Sequence, residues 1–169
     1  MNPKVNKVVE RLEGKLVIVY RNFLLSYHQN ATAAASAAEA AAIQGYWKQY
    51  ADLLFSNQSE WNYSSAAERT ELFKNYFEAA TEGKGDMVKF QNDIKSAEVK
   101  KKIDFDMGLA EHFNIGGTPS FYIDGQLINW SQADSITING KTITWEKAMG
   151  SEENFIKLIS DIVEAKLAK

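Results

Sequence analysis

Few residues in this chain are of types and spacings that could do chemistry. There is no cysteine, which removes thiolate nucleophiles, thiolate metal sites and disulfides from what these 169 residues do by themselves. The two histidines, His28 and His112, stand in different segments, and neither has a second histidine at ligand spacing. A metal site would need unrelated carboxylates to converge on one of them. Glu111-His112 lacks the second histidine of a zinc-protease helix. Asp104 and Asp106 are two positions apart, which on a helix turns them to different faces and does not make an acid pair. These residue types lead us to expect no catalytic group, no metal and no cofactor. Three N-x-S/T triplets, starting at Asn30, Asn57 and Asn62, match the glycosylation pattern.

The densest local signal is Asn114-Ile115-Gly116-Gly117-Thr118-Pro119-Ser120-Phe121-Tyr122-Ile123-Asp124-Gly125. Two glycines relax the backbone after a helix, and Pro119 fixes its own φ while pushing Thr118 toward an extended conformation. Phe121, Tyr122 and Ile123 form a short apolar run, and Asp124-Gly125 suits a two-residue hairpin, so a second strand is expected from Gln126. By spacing alone, this is an ordinary loop between a helix and a hairpin.

The elements that must position this loop follow from periodicity. Val5, Val8, Val9 and Leu12 share one helical face over 3–12, with Pro3 tolerable in a first turn and Gly14 as the stop. Residues 16–23 are β-branched, short and almost continuously apolar, the pattern of a strand buried on both faces of a parallel sheet. An alanine-rich helix is expected over 31–42, with Tyr46, Trp47, Tyr50, Leu53, Leu54 and Phe55 continuing its apolar stripe past Gly45. Residues 57–63 read as a loop. Ser64 or Ser65 can cap a helix over 66–80 with Leu72, Phe73, Tyr76 and Phe77 facing inward. Asp86 caps a short helix, and Ser96 caps a longer one that runs to Phe113. Asn139-Gly140 sits between two alternating arms, a strong hairpin signal, and Ser151 opens a final amphipathic helix. The helices between 31 and 113 would then form an insertion between two strands of an α/β chain.

Bulk composition supports one domain over residues 1–169. With 9 Phe, 7 Tyr and 4 Trp the chain can fill a core, and its net charge of -3 offers no basic face for a phosphate backbone. Nucleic acid is therefore not expected as a partner. No signal-like h-region and no membrane span is visible.

The Gly-Thr-Pro-Ser-Phe-Tyr-Ile-Asp-Gly run resembles the loop and third strand of the DsbA-like branch of the thioredoxin superfamily. The likeness extends through Val19-Tyr20-Arg21-Asn22-Phe23, His28-Gln29-Asn30-Ala31, Gln44-Gly45-Tyr46-Trp47 and Leu54-Phe55-Ser56-Asn57-Gln58, covering roughly residues 3 to 130. Leu24 and Gln29 stand where relatives often carry proline. The resemblance implies a thioredoxin-like sheet with an inserted all-helical subdomain at about 31–113, and a cis proline at Pro119. It also implies a bacterial extracytoplasmic setting and protein thiols as the substrates of full-length relatives. By the same resemblance, Gly117, Thr118 and Pro119 would bind an extended peptide through strand addition. The family's first strand and its Cys-X-X-Cys would lie before Met1, leaving a redox-inactive chain that is either a piece of a longer protein or has its strand slot filled by another segment, such as one arm of the 135–145 hairpin or a strand from a second copy. The alternative is a non-catalytic peptide-binding or assembly module on the same scaffold, including a strand-exchanged homo-oligomer.

Overall fold

Helix caps decide where the apolar spacings become helices. In the computed structural model, which describes residues 3–123, 125–128, 135–138, 141–144 and 150–167, Ser65 forms a capping box with Glu68. The Glu68 N–H reaches Ser65 Oγ at 3.3 Å and the Ser65 N–H reaches the Glu68 carboxylate at 3.0 Å. The carboxylate of Asp86 accepts from the Lys89 N–H at 2.8 Å, Ser96 Oγ from Val99 at 3.2 Å, and Ser151 Oγ from Asn154 at 3.0 Å. The resulting elements are α1 (Pro3–Arg11), α2 (Ala31–Ile43), α3 (Trp47–Ser56), α4 (Gln58–Trp61), α5 (Ala66–Thr81), α6 (Met87–Asp93), α7 (Ala97–His112) and α8 (Glu152–Leu167). The strands are β1 (Phe121–Ile123), β2 (Gln126–Ile128), β3 (Ser135–Ile138) and β4 (Lys141–Thr144).

The chain divides into two compact units, Met1–Tyr20 with Thr118–Lys169, and Arg21–Gly117. In the first, Val5 and Val8 of α1 and Leu12 just past its end pack on Phe155, Leu158, Ile159, Ile162 and Val163 of α8, with Leu16, Ile18, Phe121 and Ile123 against that core. Lys7 and Glu152 join the same two helices at the surface at 2.5 Å. Two antiparallel ribbons complete this unit. In β1 and β2, Phe121 pairs with Ile128 and Ile123 with Gln126, leaving a two-residue connection in which Gly125 takes φ +73°. In β3 and β4, Ser135 pairs with Thr144 and Ile138 with Lys141. Asp124, Asn139 and Gly140, the remaining turn residues expected from sequence, lie outside the described residues.

The second unit is helical. Ala34, Ala37, Ala38, Ala40 and Ala41 are buried on α2, and their small side chains let α3, α5, α6 and α7 pack closely around it. An aromatic cluster fills the centre. Phe77 and Phe90 stack with centroids 4.0 Å apart, Tyr50 meets Phe90 at 5.6 Å, and Trp61 meets Phe73 edge-on at 5.9 Å. The polar tips are satisfied, with Tyr50 OH donating to the Phe73 carbonyl at 3.2 Å and Trp61 Nε1 to the Leu54 carbonyl at 2.8 Å. Burial pushes the Tyr50 phenol far above its ordinary value. Gly85 crosses the side of this cluster. An alanine Cβ there would lie 2.6 Å from Phe77 Cε1 and 2.7 Å from Thr81 Cγ2. Because Phe77 is fully buried and cannot swing away, Gly85→Ala is expected to cost about 1–3 kcal/mol in urea unfolding.

Three expectations are corrected. Gly45, a residue type that can interrupt a helix, takes φ +85° between α2 and α3, but Phe55, expected on the apolar stripe, is exposed. Residues 57–63 contain α4 and are not loop throughout. Most consequentially, residues 16–23 form no strand, and no parallel sheet exists among the described residues. Leu16 and Ile18 do face the core while Val17 and Val19 are 85% and 63% exposed, which is the side-chain alternation of a strand. What is missing is the ladder. Residues 16–19 make no main-chain hydrogen bond among the described residues. Farther on, the main-chain donors of Asn22 and Leu24 are taken by side chains of α7.

Candidate functional site

The loop expected to carry function is set by the end of α7. Asn114 adopts a left-handed conformation with φ 52°, its N–H reaches the Glu111 carbonyl at 3.0 Å, and the Ile115 N–H reaches the Ala110 carbonyl at 2.8 Å. Asn114 thus does the work usually given to glycine at a helix end. Neither Gly116 nor Gly117 adopts a left-handed backbone, and a Cβ on either would meet nothing within 4 Å. Gly117 ends the helical unit and Thr118 begins the return into the other. The Thr118-Pro119 peptide is cis. Thr118, Pro119 and Ser120 are exposed, and Thr118 makes no hydrogen bond among the described residues. β1 follows at once, its ends Phe121 and Ile123 turned to the core.

A second constellation centres on Asp106, which the sequence had only separated from Asp104. The separation is real: the Asp104 side chain is largely exposed and that of Asp106 is fully buried. Asp106 accepts from the Asn22 N–H at 3.0 Å, from Asn22 Nδ2 at 3.0 Å, from Arg21 Nη1 at 3.2 Å, and from Lys102 Nζ one turn earlier on α7. Asn22 Nδ2 also donates to Glu39 on α2 at 2.6 Å, and Lys102 stands 3.7 Å from the same Glu39 carboxylate. The Arg21 guanidinium lies 5.6 Å from the centre of the Phe105 ring. Burial pushes the Asp106 carboxyl up, but hydrogen bonds from Lys102 and Asn22 outweigh it and hold the group below its ordinary value of 3.8. A group depressed in the folded state adds stability above its unfolded pKa and loses it as pH falls through the folded one. Acid unfolding followed by circular dichroism is therefore expected to steepen below about pH 4 in the parent and to flatten in Asp106→Asn.

The remaining candidate groups are not brought together. His112 ends α7 and packs edge-on against Phe113 at 4.9 Å, while His28 lies beside Tyr27 at 4.6 Å. No cluster of three metal-ligating side chains occurs among the described residues. An open groove of about 850 Å³ beside α4 and α5 is lined in part by Glu60, Glu68 and Glu71. Each carboxylate is already engaged, by Tyr76 OH at 2.7 Å, by Ser65 and by Lys74 at 3.0 Å respectively, so none is poised as a free acid or base. Of the glycosylation triplets, Asn30 is buried with Nδ2 donating to the Trp61 carbonyl at 2.7 Å and the Ser64 carbonyl at 3.1 Å, and its Oδ1 accepts from Arg69 at 2.5 Å. That amide is spent on holding α4 and α5. No helix is long and apolar enough to cross a membrane among the described residues.

Comparison with protein families decides the affiliation, because a family model described as thioredoxin matches residues 1–157. The chain belongs to the thioredoxin family. No curated protein and no solved structure matches it. As a thioredoxin-family member it departs from the expected α/β sheet in its described residues, which hold only two antiparallel ribbons. It also carries no cysteine, so these residues offer no thiol for thiol–disulfide exchange.

Proposed function

We propose that this thioredoxin-family chain is a DsbA-like domain over residues 1–169, with its helical insertion at about 31–113, that performs no thiol–disulfide exchange with its own residues and retains the binding of extended polypeptide. The residues assigned to that binding are Gly117, Thr118 and Pro119. The observation that carries this is the exposed loop leading directly into β1, with space for a Cβ at Gly117 and main chain at Thr118 that has no partner among the described residues. Strand addition needs exposed main chain beside a strand, since main-chain hydrogen bonds supply affinity with little dependence on the guest's sequence. The extended, alternating run at 16–19 supports the same affiliation. Such a domain would work beyond the bacterial cytoplasm, on protein segments that are not yet folded.

Binding of a fluorescent unstructured peptide, read by anisotropy, tests this. Affinity is expected in the range of about 1–100 μM. Methylation of alternate peptide nitrogens should abolish it. Gly117→Trp, which places bulk in open space, should leave the unfolding midpoint unchanged and weaken binding at least tenfold. Equal binding of the N-methylated peptide would contradict strand addition. Insulin reduction should be flat throughout.

A second reading is favoured by the exposed Val17 and Val19 beside unladdered main chain: an assembly module that pairs this edge with a second copy. It expects concentration-dependent association in sedimentation at micromolar chain, whereas a clean monomer would exclude it.

A further inference from the structure

The segment that follows residue 20 is held to α7 by two neighbouring side chains that each take one main-chain N–H. Asp106 takes the N–H of Asn22 at 3.0 Å, and the sulfur of Met107 takes the N–H of Leu24 at 3.1 Å. Residues 22 and 24 alternate, so in an extended chain their N–H groups lie on one side, where a strand partner would otherwise receive them. A thioether is a weak acceptor on a flexible side chain, and Met107 is only partly buried, within reach of a small oxidant. Met87, also partly buried, packs against the aromatic cluster, and its sulfur receives no hydrogen bond among the described residues.

We propose that Met107 is an oxidation-responsive latch on residues 21–24, with a hydroperoxide as the oxidant. In the step, the Sδ lone pair attacks the terminal peroxide oxygen and the O–O bond breaks as the S–O bond forms. The sulfur loses two electrons in becoming a sulfoxide, and hydrogen peroxide leaves as water. A hydrogen bond of 3.1 Å between N and S leaves no room for an inserted oxygen. The sulfoxide therefore displaces the Leu24 N–H, while the charged contacts of Asp106 keep Arg21 and Asn22 in place. The result is a local release and not an unfolding. A chain without cysteine would thus still carry one sulfur whose oxidation state sets a backbone contact, reversible by methionine sulfoxide reductase.

The test treats the intact chain with millimolar hydrogen peroxide, locates sulfoxide by peptide mass spectrometry, and follows amide hydrogen exchange by NMR. Met107 is expected to oxidise, with Leu24 exchange accelerating about tenfold and the amides of α2 and α5 unchanged. Reductase should restore protection. Met107→Leu, a volume-conserving change, should exchange quickly at Leu24 from the start and ignore peroxide, whereas Met87→Leu should respond as the parent does. Sulfoxide at Met107 with Leu24 exchange unchanged or slowed would overturn the latch. So would a Met107 that stays unoxidised.

Discussion

Phe77→Ala is expected to lower the unfolding free energy by about 3–5 kcal/mol. Phe77 has no exposed surface, stacks on Phe90 at 4.0 Å, and also meets Tyr46 at 6.5 Å and Tyr50 at 6.4 Å. The ring is the point at which α3, α5 and α6 converge, so truncation removes buried apolar area and leaves a void bounded by side chains that cannot all close on it. Urea unfolding measures it as a fall in midpoint at an unchanged m value. Phe55→Ala is the control. Phe55 is 62% exposed, and its loss should stay within about 0.5 kcal/mol although both residues are phenylalanines in helical stripes.

Asp106→Ala is expected to cost about 2–4 kcal/mol. Its carboxylate is fully buried and satisfies the Asn22 N–H and side-chain amide, Arg21 and Lys102, so alanine strands the Asn22 N–H and the Arg21 guanidinium, while the Asn22 amide and Lys102 keep only Glu39. The cost stays below that of a wholly buried pair because Arg21 and Lys102 keep 48% and 35% of their side chains in contact with water. Asp106→Asn, whose remaining carbonyl oxygen still accepts one of these bonds, should lose roughly half as much. Equal losses would mean that shape and not charge holds the network.

How legible this was from sequence depends on the range of the forces involved. The helices were legible because caps and spacing act within four residues: Ser65 with Glu68, Asp86 with Lys89 and Ser96 with Val99 sit where the sequence placed them. The hairpin at Gly125 follows from two adjacent residues. Residues 16–23 misled because periodicity reports side-chain direction and says nothing of who receives the backbone. The alternation at Leu16, Val17, Ile18 and Val19 is present, while the partner for Asn22 and Leu24 is a pair of α7 side chains more than eighty positions away. Asp106 was passed over for the same reason. The Lys102 spacing gave only a helical pair, and nothing local announces that Asn22 and Glu39 close around it. The loop between α7 and β1 was legible in position, though its glycines turn out to be unneeded for backbone shape and the left-handed turn falls to Asn114.

The most direct measurement is an amide-resolved NMR titration of the intact chain with an unstructured peptide. Binding by strand addition predicts shifts concentrated at Gly117, Thr118, Ser120 and along β1, together with new exchange protection at the Thr118 amide. Shifts confined to the groove beside α4 and α5, with Thr118 and Ser120 unmoved at saturating peptide, would contradict it.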